Sequence, residues 1–192
     1  MENPMISGME DKRYDSLKIE NIVASGAIAD SIDLEIISKN IEGCDLNTKR
    51  FPGAVYRIEN PKIASLIFSS GKVVLTGIRD AESLDRGLLL IIEKMKNAGI
   101  TCFDEPRVAI TNIVCSYDIG NKINLNKIVM TLNLENIEYE PEQFPGLVYR
   151  ISEPKIVALL FSSGKIILTG GKNMEDIKKG LDFLEQKLGS IM

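Results

Sequence analysis

The 192-residue chain has no histidine and no tryptophan. Without histidine it lacks the commonest general base, the usual nitrogen ligand for metals, and every Ser–His or Cys–His nucleophile pair. Carboxylate or lysine chemistry stays open, so an enzyme is disfavoured but not excluded. Only three cysteines occur, Cys44, Cys102 and Cys115, with no CxxC spacing. That odd, dispersed set argues against a disulfide framework or a structural zinc site and predicts reduced, partly buried thiols. No apolar run approaches the ~20 residues of a membrane span, and the first residues lack a signal-peptide core. The sequence thus predicts an intracellular chain with no membrane partner. A surplus of positive charge is missing too: the net charge is −4. At first sight this argues against nucleic acid, but binding depends on where the cations lie, not on their sum.

What is present is a globular composition, 44% hydrophobic and 26% charged, written as one unit twice. Phe51-Pro-Gly-Ala-Val-Tyr-Arg-Ile recurs as Phe144-Pro-Gly-Leu-Val-Tyr-Arg-Ile, and residues 51–77 and 144–170 match at 19 of 27 positions. Upstream, Ile19-Glu20-Asn21-Ile22-Val23 recurs as Ile110-Thr111-Asn112-Ile113-Val114. Two copies of one fold, related by an approximate two-fold axis, are implied. The expected division is a flexible tail over 1–14, a first repeat over 15–105 and a second over 106–192.

Each copy reads as strand, short helix, several strands, long helix. Leu17–Ser25 and Val108–Ser116 are β-branched and apolar. Asp33–Asn40 and Asn124–Leu132 read as the short helices. Ala54–Glu59, Lys62–Phe68 and Lys72–Gly77 are strands punctuated by Asn60-Pro61 and Ser69-Ser70-Gly71, and Glu153-Pro154 and Ser162-Ser163-Gly164 repeat that punctuation. Asp80 is a good N-cap for a helix over 80–98 that Gly99 stops, and Asn173 starts its counterpart, which runs towards Leu188.

Leu84, Leu88, Ile91, Ile92 and Met95 make one inward stripe on the first long helix. One long and one short helix per copy cover one face of a sheet, not two. The strands nevertheless carry apolar residues on both faces: Ile63 and Ile67 oppose Ala64, Leu66 and Phe68. The uncovered face is either a binding surface or a face buried by a partner subunit or a second sheet.

The string at 144–151, followed by Pro154-Lys155-Ile156 and Leu160-Phe161-Ser162-Ser163-Gly164-Lys165, resembles the carboxy-terminal core of TATA-box-binding proteins, and the first copy has the same form. The resemblance spans about residues 17 to 188 and repeats several motifs in order. It implies an α+β fold: a two-repeat, pseudo-symmetric saddle with an antiparallel ten-stranded sheet and four helices on the convex face. It also implies a non-enzymatic transcription-initiation factor that binds double-stranded A·T-rich promoter DNA and recruits transcription factor B and RNA polymerase. No cofactor is implied. A short tail and an acidic chain point to an archaeal member, cytoplasmic and nucleoid-associated; a eukaryotic one would be nuclear.

By resemblance, Phe51, Phe68, Phe144 and Phe161 are wedges that enter base steps at either end of the site. Asn21, Asn112, Thr76 and Thr169 face the groove floor, where amide and hydroxyl donors suit the acceptors of A·T pairs. Val23, Val114, Leu66, Leu159, Val74 and Ile167 would form an apolar floor that excludes the guanine amino group. Arg50, Arg57, Arg150, Ser70, Ser163, Lys72, Lys165, Arg79 and Lys172 match phosphate-contact positions. Gly-Lys followed by Val73 or Ile166 is no P-loop, which needs Ser or Thr next.

The copies diverge at Asn47-Thr48-Lys49-Arg50 against Glu140-Pro141-Glu142-Gln143, and Gln143 replaces a basic residue. The resemblance puts the acidic loop, with Glu138, Glu140 and Glu142, where transcription factor B docks. Two rivals stand beside this reading. A glycosylase with a related half-saddle would need a helix-hairpin-helix module for which no residues remain. An interaction module dimerising through the apolar sheet would need none.

Overall fold

The computed structural model describes residues 12–132 and 134–191. In chain order the described elements are β1 (Lys18–Ala27), α1 (Leu34–Asn40), β2 (Asp45–Leu46), β3 (Ala54–Ile58), β4 (Ile63–Ile67), β5 (Lys72–Ile78) and α2 (Ala81–Asn97). The second repeat follows with β6 (Arg107–Asp118), α3 (Leu125–Thr131), β7 (Ile137–Glu138), β8 (Leu147–Ile151), β9 (Ile156–Leu160), β10 (Lys165–Gly171) and α4 (Met174–Gly189). All ten strands join one antiparallel sheet in the order β2-β3-β4-β5-β1-β6-β10-β9-β8-β7.

The first strands of the two repeats pair with each other at the centre. Asn21 lies opposite Val114, and Val23 opposite Asn112. Since Asn21 and Asn112 are repeat equivalents, as are Val23 and Val114, this register is the two-fold axis written in residues. The outermost strands, β2 and β7, have two residues each, which leaves little edge for unwanted pairing.

The helices end where local chemistry stops them. The Asp80 carboxylate accepts from the Ser83 N–H at 2.7 Å, and the Asn173 amide oxygen from the Asp176 N–H at 2.8 Å, each satisfying an orphan donor of the first turn. Beyond α2, Gly99 takes φ +89°, the left-handed geometry that glycine supplies at little cost. Of the predicted α2 stripe, Ile91 and Met95 are buried and Leu84, Leu88 and Ile92 half-buried.

The core lies between the helices and one sheet face. Ile63, Ile67, Val73 and Leu75 in repeat 1, and Ile156, Leu160, Ile166 and Leu168 in repeat 2, are buried there with Ile177, Leu181 and Leu184 of α4. Fully burying such a side chain stabilises by about 1.5–3 kcal/mol. Each long helix approaches the sheet through a glycine. A Cβ on Gly87 would stand 2.4 Å from Ile63 Cδ1, and one on Gly180 3.0 Å from Ile156 Cγ1.

Of the expected tail, residues 1–11 lie outside the described residues. Lys12–Tyr14 form a 3-10 turn, and the Tyr14 hydroxyl donates to the Asp182 carboxylate of α4 at 2.7 Å. The segment before repeat 1 therefore rests on repeat 2. No described helix is long and apolar enough to cross a membrane.

Candidate nucleic-acid interface

The alternation along each strand sets the surface opposite the helices. On β4, Ile63, Ser65 and Ile67 are buried while Ala64 and Leu66 are half-buried; on β5, Val73 and Leu75 are buried while Val74 and Thr76 are half-buried. Repeat 2 shows the same split. The helix-free face is therefore open, with side chains that shelter one another only partly.

Pairing arranges that face in rows. One row crosses the strands as Arg57, Ala64, Thr76, and continues to Asn21 and Val114. Its repeat mate is Arg150, Val157, Thr169, Asn112, Val23. Each row runs from a cation near the sheet edge, through a hydroxyl and an amide, to a valine at the centre. Beside them lie apolar rows, Val55–Leu66–Val74 and Val148–Leu159–Ile167. Val55 and Val148 were not among the residues singled out from sequence. Their place two residues before each arginine, on the same face, was the available signal.

The asparagines are held in one orientation. The Gly77 N–H donates to Asn21 Oδ1 at 2.7 Å, and the Gly170 N–H to Asn112 Oδ1 at 2.7 Å. With each oxygen so engaged, each Nδ2 is the donor, and it reaches Thr76 or Thr169 Oγ1 at 3.2 Å. An amide nitrogen carries two hydrogens, so one remains for the open face. The threonine hydroxyl also reaches that amide oxygen, at 3.5 Å for Thr76 and 3.3 Å for Thr169. These are long bonds to an acceptor already held by a glycine N–H, so the hydroxyl hydrogen can turn to a ligand instead. Each pair can thus offer one N–H and one O–H to a ligand that presents acceptors.

The four phenylalanines come together as two pairs. Phe51 and Phe68 stack edge to face with ring centroids 5.5 Å apart, and Phe144 and Phe161 at 5.8 Å. Phe144 is 38% exposed, far more than a core aromatic allows. Beneath each pair sits the glycine of Phe-Pro-Gly. A Cβ on Gly146 would lie 2.7 Å from Phe144 and 3.0 Å from Phe161, and one on Gly53 2.9 Å from Phe51 and 3.3 Å from Phe68. These glycines let the rings close on each other over the strand ends.

Arg50, Arg57, Arg79, Arg150, Lys72, Lys165, Lys172, Ser70 and Ser163 are all exposed. Glu140 and Glu142 are exposed in the loop before Phe144, and the Glu140 carbonyl accepts from the Gln143 and Phe144 N–H groups, both at 2.9 Å. Glu138 is not apart from the sheet. Its carboxylate accepts from Arg150 Nε at 3.1 Å, so a residue expected to bind a partner and one expected to bind DNA form one ion pair. A carboxylate also stands beside the two central strands: the buried Ser116, opposite Ile167, donates to Glu20 at 2.7 Å. That hydroxyl holds the Glu20 carboxyl below its usual range against the opposing effect of burial, aided by Arg79, Lys165 and Lys18. Among the described residues no cluster of three acids or thiols could hold a metal ion.

The model of the family described as transcription factor TFIID, or TATA-binding protein, matches residues 16–98 and 107–191. The TATA-box-binding protein of Haloarcula marismortui is 47% identical over 177 residues, 92% of this chain and 95% of that one. That of Archaeoglobus fulgidus is 49% identical over 175 residues, 91% of this chain and 96% of that one. The structure titled Methanococcus jannaschii TBP superposes with a TM-score of 0.84 at 42% identity, covering 92% of this chain and 99% of that one.

Proposed function

The chain belongs to the TATA-box-binding protein family, and from that membership we propose that it is an archaeal transcription-initiation factor whose helix-free sheet face grips and bends A·T-rich promoter DNA in the minor groove. The observation that carries this reading is the orientation of the two Asn–Thr pairs. In the minor groove, A·T and T·A pairs offer only acceptors, whereas G·C adds an amino donor. A face that offers donors from Asn21, Thr76, Asn112 and Thr169 over an apolar floor of Val23, Val114, Leu66, Leu159, Val74 and Ile167 complements the first pattern. Against the second, the guanine amino group meets packed methyl groups and loses its water without gaining a partner.

The paired rings act as wedges at the two ends. Phe51 with Phe68, and Phe144 with Phe161, enter base steps and kink the duplex, the mode of binding of which this family is itself the type example. Unstacking costs a few kcal/mol per step and is offset by the longer contact that bent DNA makes. Arg50, Arg57, Arg150, Lys72, Lys165, Arg79, Lys172 and the Ser70 and Ser163 turns hold the flanking phosphates, which fix position without reading sequence. The bound complex recruits transcription factor B through the acidic loop of repeat 2, and RNA polymerase through that complex. The chain works in the cytoplasm, on the nucleoid.

End-labelled duplexes test this directly. Energy transfer between the ends should rise when the protein meets a TATA-containing duplex and stay flat when two central A·T pairs become G·C. Equal affinity and equal bending on both duplexes would remove the proposed function.

A further inference from the structure

The two ends of the central β1–β6 pair are closed differently. At one end Ala27 and Arg107 are ladder partners. At the other the ladder stops at Lys18 and Ser116, because the backbone before β1 turns away. Lys12–Tyr14 is a 3-10 turn, and the Leu17 N–H donates back to the Tyr14 carbonyl at 2.9 Å. Ser16, the repeat mate of Arg107, closes this end with its side chain instead. Its hydroxyl donates to the Asp118 carbonyl at 3.0 Å and accepts from the Asp118 N–H at 3.2 Å.

The turn that delivers Ser16 is anchored on repeat 2. The Tyr14 hydroxyl reaches both Asp182 oxygens, at 2.7 and 2.9 Å, and Arg13 stands 3.8 Å from the same carboxylate. The Lys178 ammonium lies over the Tyr14 ring, 4.9 Å from its centroid. Repeat 1 lacks these groups. Leu89 stands where α4 has Asp182 and is 68% exposed, and Asp85, Glu105 and Ala27 stand where repeat 2 and its clasp have Lys178, Tyr14 and Asp118.

Asp118 leads from this clasp to a wedge. It pairs with Lys165 across β6 and β10, and its carboxylate accepts from the Gly120 N–H at 2.8 Å. The next residue, Ile119, donates to the Gly164 carbonyl at 3.0 Å, and the Gly164 N–H donates to the Phe161 carbonyl at 2.9 Å. A Cβ on Gly164 would stand 2.2 Å from the Asn121 oxygen, so the turn that carries Phe161 lies directly on the loop that Asp118 begins. A continuous series of bonds thus runs from the Ser16 hydroxyl to the Phe161 backbone.

We propose that Ser16, held in place by Tyr14 on α4, is a positioning residue for the repeat 2 wedge: through Asp118 it fixes the turn from which Phe161 enters the duplex. The inference rests on the reading of the four phenylalanines as wedges. In repeat 1 the Ala27–Arg107 ladder pair does the same from the backbone. Where β1 has run out, a hydroxyl that both donates and accepts replaces the missing backbone pair.

Three variants test it. Ser16→Ala removes both bonds to Asp118, Ser16→Thr keeps the hydroxyl, and Tyr14→Phe removes only the bond to Asp182. Backbone hydrogen exchange is followed at Ile119 and Gly164 and at their repeat mates Ile28 and Gly71, which make the same turn bonds. Bending is read by energy transfer across an end-labelled TATA duplex. With Ser16→Ala, exchange at Ile119 and Gly164 should speed up about tenfold, on the scale of a lost hydrogen bond, while Ile28 and Gly71 keep wild-type rates. That variant should bend the duplex less and leave it several-fold faster. Tyr14→Phe should do the same to a smaller degree, and Ser16→Thr should restore wild-type behaviour. Ile91→Val, which thins the buried core of repeat 1 and lowers overall stability, should change neither bending nor dissociation. Equal acceleration in both turns, no acceleration at Ile119 and Gly164, or wild-type bending and dissociation for Ser16→Ala overturns the proposal. A wild type that binds the TATA duplex without bending it would overturn instead the wedge reading on which it rests.

Discussion

The Gly170 N–H donates to Asn112 Oδ1 across 2.7 Å, and that single bond decides which end of the amide faces outward. Gly170 has φ +101°, a conformation open to glycine and strained for other residues, so the backbone donor is fixed before any ligand arrives. Gly77 and Asn21 repeat the arrangement. Asn112→Asp tests it with one atom changed. The aspartate still accepts from Gly170, so the melting temperature should shift by no more than a few degrees. It can no longer donate to Thr169 or to a base, and its charge faces the groove. Duplex affinity should fall by at least about tenfold, the ~1.4 kcal/mol or more expected of a lost hydrogen bond at a desolvated site. Wild-type affinity in anisotropy titrations would mean that this amide is not a base contact.

Phe144→Ala and Phe161→Ala should each reduce bending more than they reduce stability. Phe144 is partly exposed, so its loss should cost about 1–2 kcal/mol, below the ~3–5 kcal/mol typical of a buried aromatic. Gly146→Ala reaches the same rings from beneath, since its Cβ would press on both. It should impair bending with both rings still present. Full energy-transfer change alongside a large drop in thermal stability would make these residues core.

Thr169→Ala and Lys165→Ala should separate reading from holding. Loss of the hydroxyl should reduce discrimination against a central G·C pair, where one mismatch typically costs about 1–3 kcal/mol. Loss of the ammonium should weaken all duplexes alike and flatten the salt dependence. A change in sequence preference for Lys165→Ala but not for Thr169→Ala would reverse the two assignments.

A near-symmetric saddle needs something unsymmetric to give transcription a direction. Lys49 and Arg50 precede Phe51, whereas Glu140 and Glu142 precede Phe144. One exposed charge pair is worth little, but a cluster steers association and excludes the wrong end. With Glu140→Arg and Glu142→Arg together, binary DNA binding should survive and assembly with transcription factor B should fail in a gel-shift assay. Normal ternary complexes would leave the loop without this role.

Alkaline stability should depend on Tyr117. Burial, and then its hydrogen bond to Glu185, push its hydroxyl up to about 12, against about 10 in an unfolded chain. Below the lower value both states are neutral and the contribution is complete. Between the two values only the unfolded chain ionises, so stability falls as pH rises through that window. Thermal melts should show the decline, and Tyr117→Phe should make it shallower. An identical pH profile for the variant would show that other groups set it.

Much of this protein is legible in its residues because repetition and alternation are local. The doubled Phe-Pro-Gly strings, the period-two strands, the Asp80 and Asn173 caps and the Gly99 stop each act within a few residues, and the observed elements begin and end near them. Which sheet face stays open was less legible. Ile63 and Leu66 are equally apolar in sequence, and only the position of α2, set by Gly87 seated on Ile63, buries one and leaves the other half-exposed. The two-residue strands β2 and β7 are too short to carry a periodic signal; they exist because β3 and β8 present free edges to them. Residues far apart in the chain decided the rest. The register of Asn21 with Val114, the outward amides and the Glu138–Arg150 pair all depend on strands that meet only once the sheet is assembled. A side chain's identity fixes what it can donate or accept; the atom across from it, brought there by the fold, fixes which of those bonds remains to be made.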